Sequence, residues 1–255
     1  MLRLKLRKPS KYYISPLYNQ LMPKRLLELF CGTKSIGTEF ELAGYDVVSL
    51  DFNKKFNATH TDDILTWDYT IYPPNHFDVI WASPDCTTWS LATGGKYRLK
   101  SSIYGLNNDQ QTKATMGNDM ILRLIEILKY FNAGAWFIEN PRGLLVHFPP
   151  LIEFIKENDY SNTVVYYGNY NNWGFPKPTH IWSNLPLWEK EKIPVMPEGS
   201  YVMKQWKTLK KPKRIYTTYS KGNAEQRSKI PPDLANRLRL LIPDEPETVD
   251  GLTKS

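Results

Sequence analysis

Cys86 follows an apolar run, Phe77 to Ala82, at the point where the chain breaks into Ser83-Pro84-Asp85-Cys86-Thr87-Thr88-Trp89. A thiol in a proline-bounded loop at the carboxyl end of a strand stands where open α/β sheets keep their ligands. As thiolate it can add to an electron-poor carbon and split one difficult step into two. A lone cysteine is more often a small buried hydrophobe, so the company it keeps decides the reading. Glu139-Asn140-Pro141 follows a second apolar run and offers a carboxyl able to hold or donate a proton. A glycine turn, Glu28-Leu29-Phe30-Cys31-Gly32, follows a third.

That glycine turn lacks the three-glycine dinucleotide fingerprint, and no lysine-bearing phosphate loop is present. Asp51 closes the next apolar run about twenty residues on, where an acidic side chain meets ribose hydroxyls in nucleotide-binding folds. Asp62-Asp63-Ile64 adds carboxylates nearby, and Phe52 can cover the face of an adenine. Acids in place of phosphate-binding groups select an adenosyl ligand without pyrophosphate, S-adenosylmethionine rather than NAD. The plainer alternative leaves Gly32 as a tight turn and Asp51 as a helix cap.

These residues need strands to carry them. Arg25–Phe30, Asp46–Asp51, Phe77–Ala82, Trp136–Glu139 and Thr163–Tyr167 read as strands. Ile36, Phe40 and Ala43 recur at helical spacing before Gly44, a C′ glycine. Asn118 is expected to cap a helix whose apolar face is Ile121, Leu124, Ile125, Leu128 and Phe131. A short helix is expected over Leu151–Lys156, and Pro231-Pro232-Asp233 opens another through Leu234, Leu238 and Leu241. Strands alternating with helices predict an α/β domain, a parallel or mostly parallel sheet covered on both faces. Beyond residue 184 the prolines multiply and lysines mingle with aromatics, which predicts a small irregular C-terminal lobe.

The 255 residues, 41% hydrophobic and 13% aromatic, suffice for one substantial core. A net charge of +7 fits an anionic partner such as nucleic acid. Two cysteines supply neither a disulfide framework nor a metal site, and no stretch has the length of a membrane span. The expectation is a monomer without metal, in a reducing, cytoplasmic compartment rather than secreted.

Glu28-x-Phe30-x-Gly32, Asp51, Asp63-Ile64, Ser83-Pro84-Asp85-Cys86 and Glu139-Asn140-Pro141-Arg142-Gly143 occur in the order of the sequence blocks of cytosine-5 DNA methyltransferases. The chain resembles that family over residues 25 to 183, with a weaker echo in Arg227 to Leu234. The resemblance implies a Rossmann-like, S-adenosylmethionine-dependent methyltransferase sheet acting on double-stranded DNA by base flipping. Cys86 would add to carbon 6 of cytosine, and Glu139 would hold ring nitrogen 3 and the exocyclic amine. Phe30, Gly32, Asp51, Phe52, Asp63 and Pro84 would form the cofactor side. Asn140, Arg142, Lys177 and Thr179 would face the substrate, with Asn140 holding the cysteine loop from behind. Lys96 and Arg98, after Gly94-Gly95, would contact phosphate, which positions DNA without reading it.

Three departures from the family pattern matter. Asp85 stands where the family has proline, and a carboxylate beside the thiol raises its pKa. Phe175-Pro176-Lys177-Pro178-Thr179 replaces a paired-arginine signature, leaving Lys177 or Thr179 as substitutes for a base-contacting arginine. The recognition region is short, which suits a stand-alone viral or phage enzyme with a brief recognition site. The expected organisation is a basic extension over 1–24, a catalytic and cofactor domain over 25–183, and a recognition lobe over 184–222. A helix over 223–243 would return to the catalytic domain, ahead of an acidic tail over 244–255. Lys204, Lys207, Lys210, Lys211, Lys213 and Arg214 in the lobe suit nucleic-acid contact. Transfer RNA as substrate, or a nucleic-acid-binding module that keeps the cofactor pocket without turnover, are the alternative readings.

Overall fold

Leu26, Leu27 and Leu29 are all fully buried in a five-residue strand, which is possible only where helices cover both faces of a sheet. The computed structural model describes residues 23–90, 97–98, 108–170, 176–194, 225 and 228–243. Expectations resting on the basic extension before residue 23, on Lys96, on Arg227, on the lysines from Lys204 to Arg214 and on the acidic tail lie outside the described residues.

The described elements are β1 (Arg25–Leu29), α1 (Ser35–Leu42), β2 (Asp46–Leu50), β3 (Val79–Ala82) and α2 (Asn108–Phe131). They continue with β4 (Ala135–Pro141), α3 (Pro149–Glu157), β5 (Ser161–Tyr166), β6 (Pro178–Ser183) and α4 (Pro232–Arg239). The strands form one mixed sheet in the order β2-β1-β3-β4-β6-β5. β2, β1, β3 and β4 run parallel, whereas β6 lies antiparallel between β4 and β5. Successive side chains of a strand face opposite ways, so the core divides in two. Leu27, Leu29, Ile80, Ala82, Trp136 and Ile138 pack beneath α2 and α3. Leu26, Val79, Trp81, Phe137, Val165 and Ile181 pack against α1 and α4. The expected α/β sheet with helices on both faces is the architecture found.

Two expectations change. The helix before β4 begins at Asn108, ten residues ahead of Asn118, so Asn118 lies mid-helix rather than at its cap. Its first two turns are polar on every side and bury nothing before Gly117, so no apolar period marks them. β6 was not anticipated, because Pro176 and Pro178 argue against an interior strand. Pro178 is its first residue, where a missing N–H is tolerated, and Thr179 to Ser183 complete the ladder.

The chain passes from β1 to β2 on one side and returns to β3 on the other. The carboxyl ends of β1 and β3 therefore flank the point where strand order reverses, the crevice in which such sheets bind ligands. Among the described residues no helix is long and apolar enough to cross a membrane.

Candidate active site

Ser83-Pro84-Asp85-Cys86 leaves β3 beside the end of β1, with the Ser83 N–H donating to the Leu29 carbonyl at 3.3 Å. The Cys86 carbonyl accepts from the N–H groups of Trp89 and Ser90 at 3.0 and 2.8 Å, so the thiol sits on the first residue of a tight turn. Asp85 is exposed, and its Oδ1 accepts from the Thr87 N–H at 2.9 Å and the Thr87 hydroxyl at 2.6 Å. The residue that departs from the family pattern thus caps the cysteine turn.

The loop is seated from two sides. The Leu144 N–H donates to the Trp89 carbonyl at 2.7 Å, and a Cβ on Gly143 would lie 2.3 Å from that same oxygen, so only glycine permits the approach. On the other side a Cβ on Gly117 of α2 would lie 2.5 Å from the Thr88 hydroxyl and 2.9 Å from the Arg98 guanidinium. Arg98 stacks 3.1 Å from the centre of the Trp89 ring and donates to Thr88, Ala114 and Asn118. Its guanidinium is committed to clamping the loop onto α2 rather than directed outward to phosphate.

Glu139 continues β4 one residue past Ile138, which pairs with Ala82 of β3. Its carboxyl is 5% exposed. Oε1 accepts from the Tyr167 hydroxyl at 3.0 Å and lies 3.8 Å from the Lys177 ammonium. Arg142, the other cation near in sequence, is exposed; its N–H donates to the Pro178 carbonyl at 2.8 Å. Lys177 sits at φ +32° immediately before β6, with its ammonium 4.1 Å from the centre of the Tyr167 ring. Thr179 is fully buried and donates to the Lys177 carbonyl at 3.1 Å. Burial, then the charges of Glu139 and Asp85, pushes the Cys86 thiol up to about 11, with Lys177 acting in the opposite sense. Burial lowers the Lys177 ammonium, while Glu139 and Cys86 resist that fall. The nucleophile candidate, the acid candidate and one cation therefore form a single electrostatic group.

At the neighbouring strand ends, the Asp51 carboxylate accepts from the Gly32 N–H at 2.9 Å and the Asn53 N–H at 2.8 Å, one on each oxygen. A carboxylate oxygen has a second lone-pair site, so Asp51 still has capacity for two hydroxyl groups. Phe30 turns the chain out of β1 at φ +57°, and Phe52 presents a ring 75% exposed beside Asp51. An acidic acceptor and an open aromatic face fit S-adenosylmethionine. Asp63 is exposed, and its Oδ1 accepts the Leu65 N–H at 3.0 Å; among the described residues no contact joins it to Gly32 or Asp51.

Two residues not singled out above belong to this region. Tyr167 carries a polar tip that must find a partner when buried, which a sequence can signal, but its partner Glu139 lies across β6. Glu28, buried beneath the glycine turn, accepts the Ile36 N–H at 3.3 Å through Oε1, and the Gly37 backbone N–H also favours its charged form. Burial pushes its carboxyl up to about 8.

No family model matches the chain. Among solved structures it resembles a mutant DNMT2 from Spodoptera frugiperda, with a TM-score of 0.44 at 17% identity, over 67% of this chain and 54% of that one. The Entamoeba histolytica methyltransferase EhMeth gives a TM-score of 0.45 at 16% identity, over 68% of this chain and 58% of that one. The chain thus spans a little over half the length of those proteins. A protein of Frog virus 3 described as a probable DNA (cytosine-5)-methyltransferase is 31% identical over 169 residues, which are 63% of this chain and 71% of the viral protein. With that relative matched over more than two thirds of its length, the chain belongs to the DNA (cytosine-5)-methyltransferase family.

Proposed function

We propose that the chain methylates carbon 5 of cytosine in DNA, using S-adenosylmethionine and a transient bond between Cys86 and carbon 6 of the base. The observation that carries this reading is the meeting of Cys86, Glu139 and Lys177 at the carboxyl ends of β3 and β4, one strand from the turn joining Gly32 to Asp51. Carbon 5 of cytosine becomes nucleophilic only after something adds at carbon 6. The thiolate of Cys86, the minority form that the Lys177 ammonium favours and that arises by loss of the thiol proton to solvent, donates an electron pair from Sγ to carbon 6. Electron density moves onto the ring, and a proton held by Glu139 passes to ring nitrogen 3, giving a neutral enamine.

Bound S-adenosylmethionine supplies the methyl group as an electrophile on a sulfonium sulfur. Phe30, Gly32, Asp51, Phe52, Asp63 and Pro84, on the segments that follow β1, β2 and β3, would hold it. After transfer, carbon 5 loses its proton to solvent and Sγ leaves with its electron pair, restoring the double bond, while Glu139 recovers its proton. The base must leave the stack first, at a cost of a few kcal/mol. Arg142 and Lys177 flank the side from which it would enter, while the buried Asn140 and Thr179 support the cysteine loop and Lys177 from behind.

The test is transfer from a labelled methyl donor to duplex DNA, single-stranded DNA and transfer RNA, with Cys86→Ser alongside. Label is expected in duplex DNA, at least about a thousandfold weaker in the variant, as for removal of a covalent nucleophile. Label that survives the Cys86→Ser change removes the nucleophile assignment. Label in transfer RNA alone changes the substrate.

A further inference from the structure

Glu139 has two oxygens, and among the described residues its hydrogen bond and its ion pair are both made to one of them. The Tyr167 hydroxyl donates to Oε1 at 3.0 Å, and the Lys177 ammonium lies 3.8 Å from the same atom. Tyr167 is fully buried on the turn after β5, and Lys177 precedes β6, so two strands reach across to one carboxylate oxygen. We propose that Tyr167 is a positioning residue of this site, which with Lys177 holds Oε1 of Glu139 and leaves Oε2 as the oxygen that exchanges a proton with the base.

This deepens the reading of Glu139 as the group that holds ring nitrogen 3, and rests on it. A carboxyl free to rotate offers either oxygen, and half its orientations send the proton away from the ring. One tied through Oε1 offers a single oxygen in a fixed direction, the pre-organisation that proton transfer in a closed site requires. Burial, then the charge of Glu139, raises the Tyr167 phenol well above its ordinary value, so it keeps its proton and acts as donor. Among the described residues the charged or titratable groups facing Glu139 are Tyr167 from the turn after β5, Lys177 ahead of β6 and Cys86 from the loop after β3. Thr179 adds a hydroxyl that hydrogen-bonds Tyr167.

The experiment is a double-mutant cycle on methyl transfer to duplex DNA with Tyr167→Phe, Glu139→Gln and both together. Tyr167→Phe is expected to lower kcat about tenfold or more, the scale of one hydrogen bond to a charged group, with KM for DNA and methyl donor within about twofold. In the Glu139→Gln background the same change is expected to cost nothing further. An equal loss in both backgrounds overturns the proposal, since a merely structural tyrosine acts independently of Glu139.

A measurement on the free protein separates this from failure of the proposed reaction. The carboxyl carbon resonance of labelled Glu139 is compared by NMR in wild type and Tyr167→Phe. Losing the O–H donated to Oε1 is expected to change that carbon's chemical shift, and an unchanged shift overturns the proposal even if no methyl transfer is found. Should Tyr167→Phe not fold, the hydroxyl proton of Tyr167 in the wild type serves instead. It is expected as a slowly exchanging downfield resonance that Glu139→Gln shifts, and its staying unchanged refutes the pairing.

Discussion

The side-chain amide of Asn140 donates to the Pro84 carbonyl at 3.0 Å, and both residues are buried. This bond ties the loop bearing Cys86 to the strand bearing Glu139, so the distance between thiol and carboxyl is set by β4 rather than by loop length. Asn140→Ala leaves a buried carbonyl unpaired, at a cost of about 1–3 kcal/mol. The expected result is a lower unfolding temperature together with a kcat reduced about ten- to a hundredfold and little change in KM for the methyl donor. Full activity in the variant removes Asn140 as the link.

Cys86 is held neutral by its surroundings, and the direction is open to measurement. With the thiol pushed up to about 11, thiolate is the minority form at neutral pH. Alkylation of the Cys86 peptide by iodoacetamide, read by mass, should rise about tenfold for each pH unit until the pH nears that value. Lys177→Met removes a cation that favours thiolate and moves the curve to higher pH, whereas Asp85→Asn moves it lower. A midpoint at the ordinary cysteine value, about 8.5, contradicts this electrostatic picture.

Glu28 makes stability depend on pH. Its carboxyl rises from an ordinary 4.5 to about 8 because burial disfavours the charged form. The folded chain holds this proton more tightly than the unfolded chain does. The contribution is therefore complete below about pH 4.5 and is lost as pH rises through about 8. The wild-type unfolding temperature should fall across that window, and the fall should be smaller in Glu28→Gln, which has no proton to lose. Parallel curves for the two proteins rule out Glu28 as the source.

The parallel strands were legible because a strand buried on both faces writes itself as a nearly continuous apolar run, as in Val79–Ala82 and in Leu26–Leu29, which only the buried Glu28 interrupts. The ends of those runs carried the polar residues Cys86, Glu139 and Asp51, so their place at one edge of the sheet followed from the strand assignment. The first ten residues of α2 were not legible, since Asp109 and Lys113 satisfy each other on an exposed face and leave no apolar stripe. Arg98 resembled a phosphate contact by type and neighbourhood. Gly117 and Trp89, which turn it inward, lie apart from it in sequence and meet it only in the folded chain.

Residue type and order by themselves determined an α/β sheet, with a thiol and two carboxyl groups at or just past strand ends. Periodicity and the chemistry of side chains are local properties, written into neighbouring positions. The tertiary structure alone decided that β6 runs antiparallel between β4 and β5, and so that Tyr167 and Lys177 both arrive at Oε1 of Glu139. A contact made across strands depends on sheet order and register, and no window of sequence contains either.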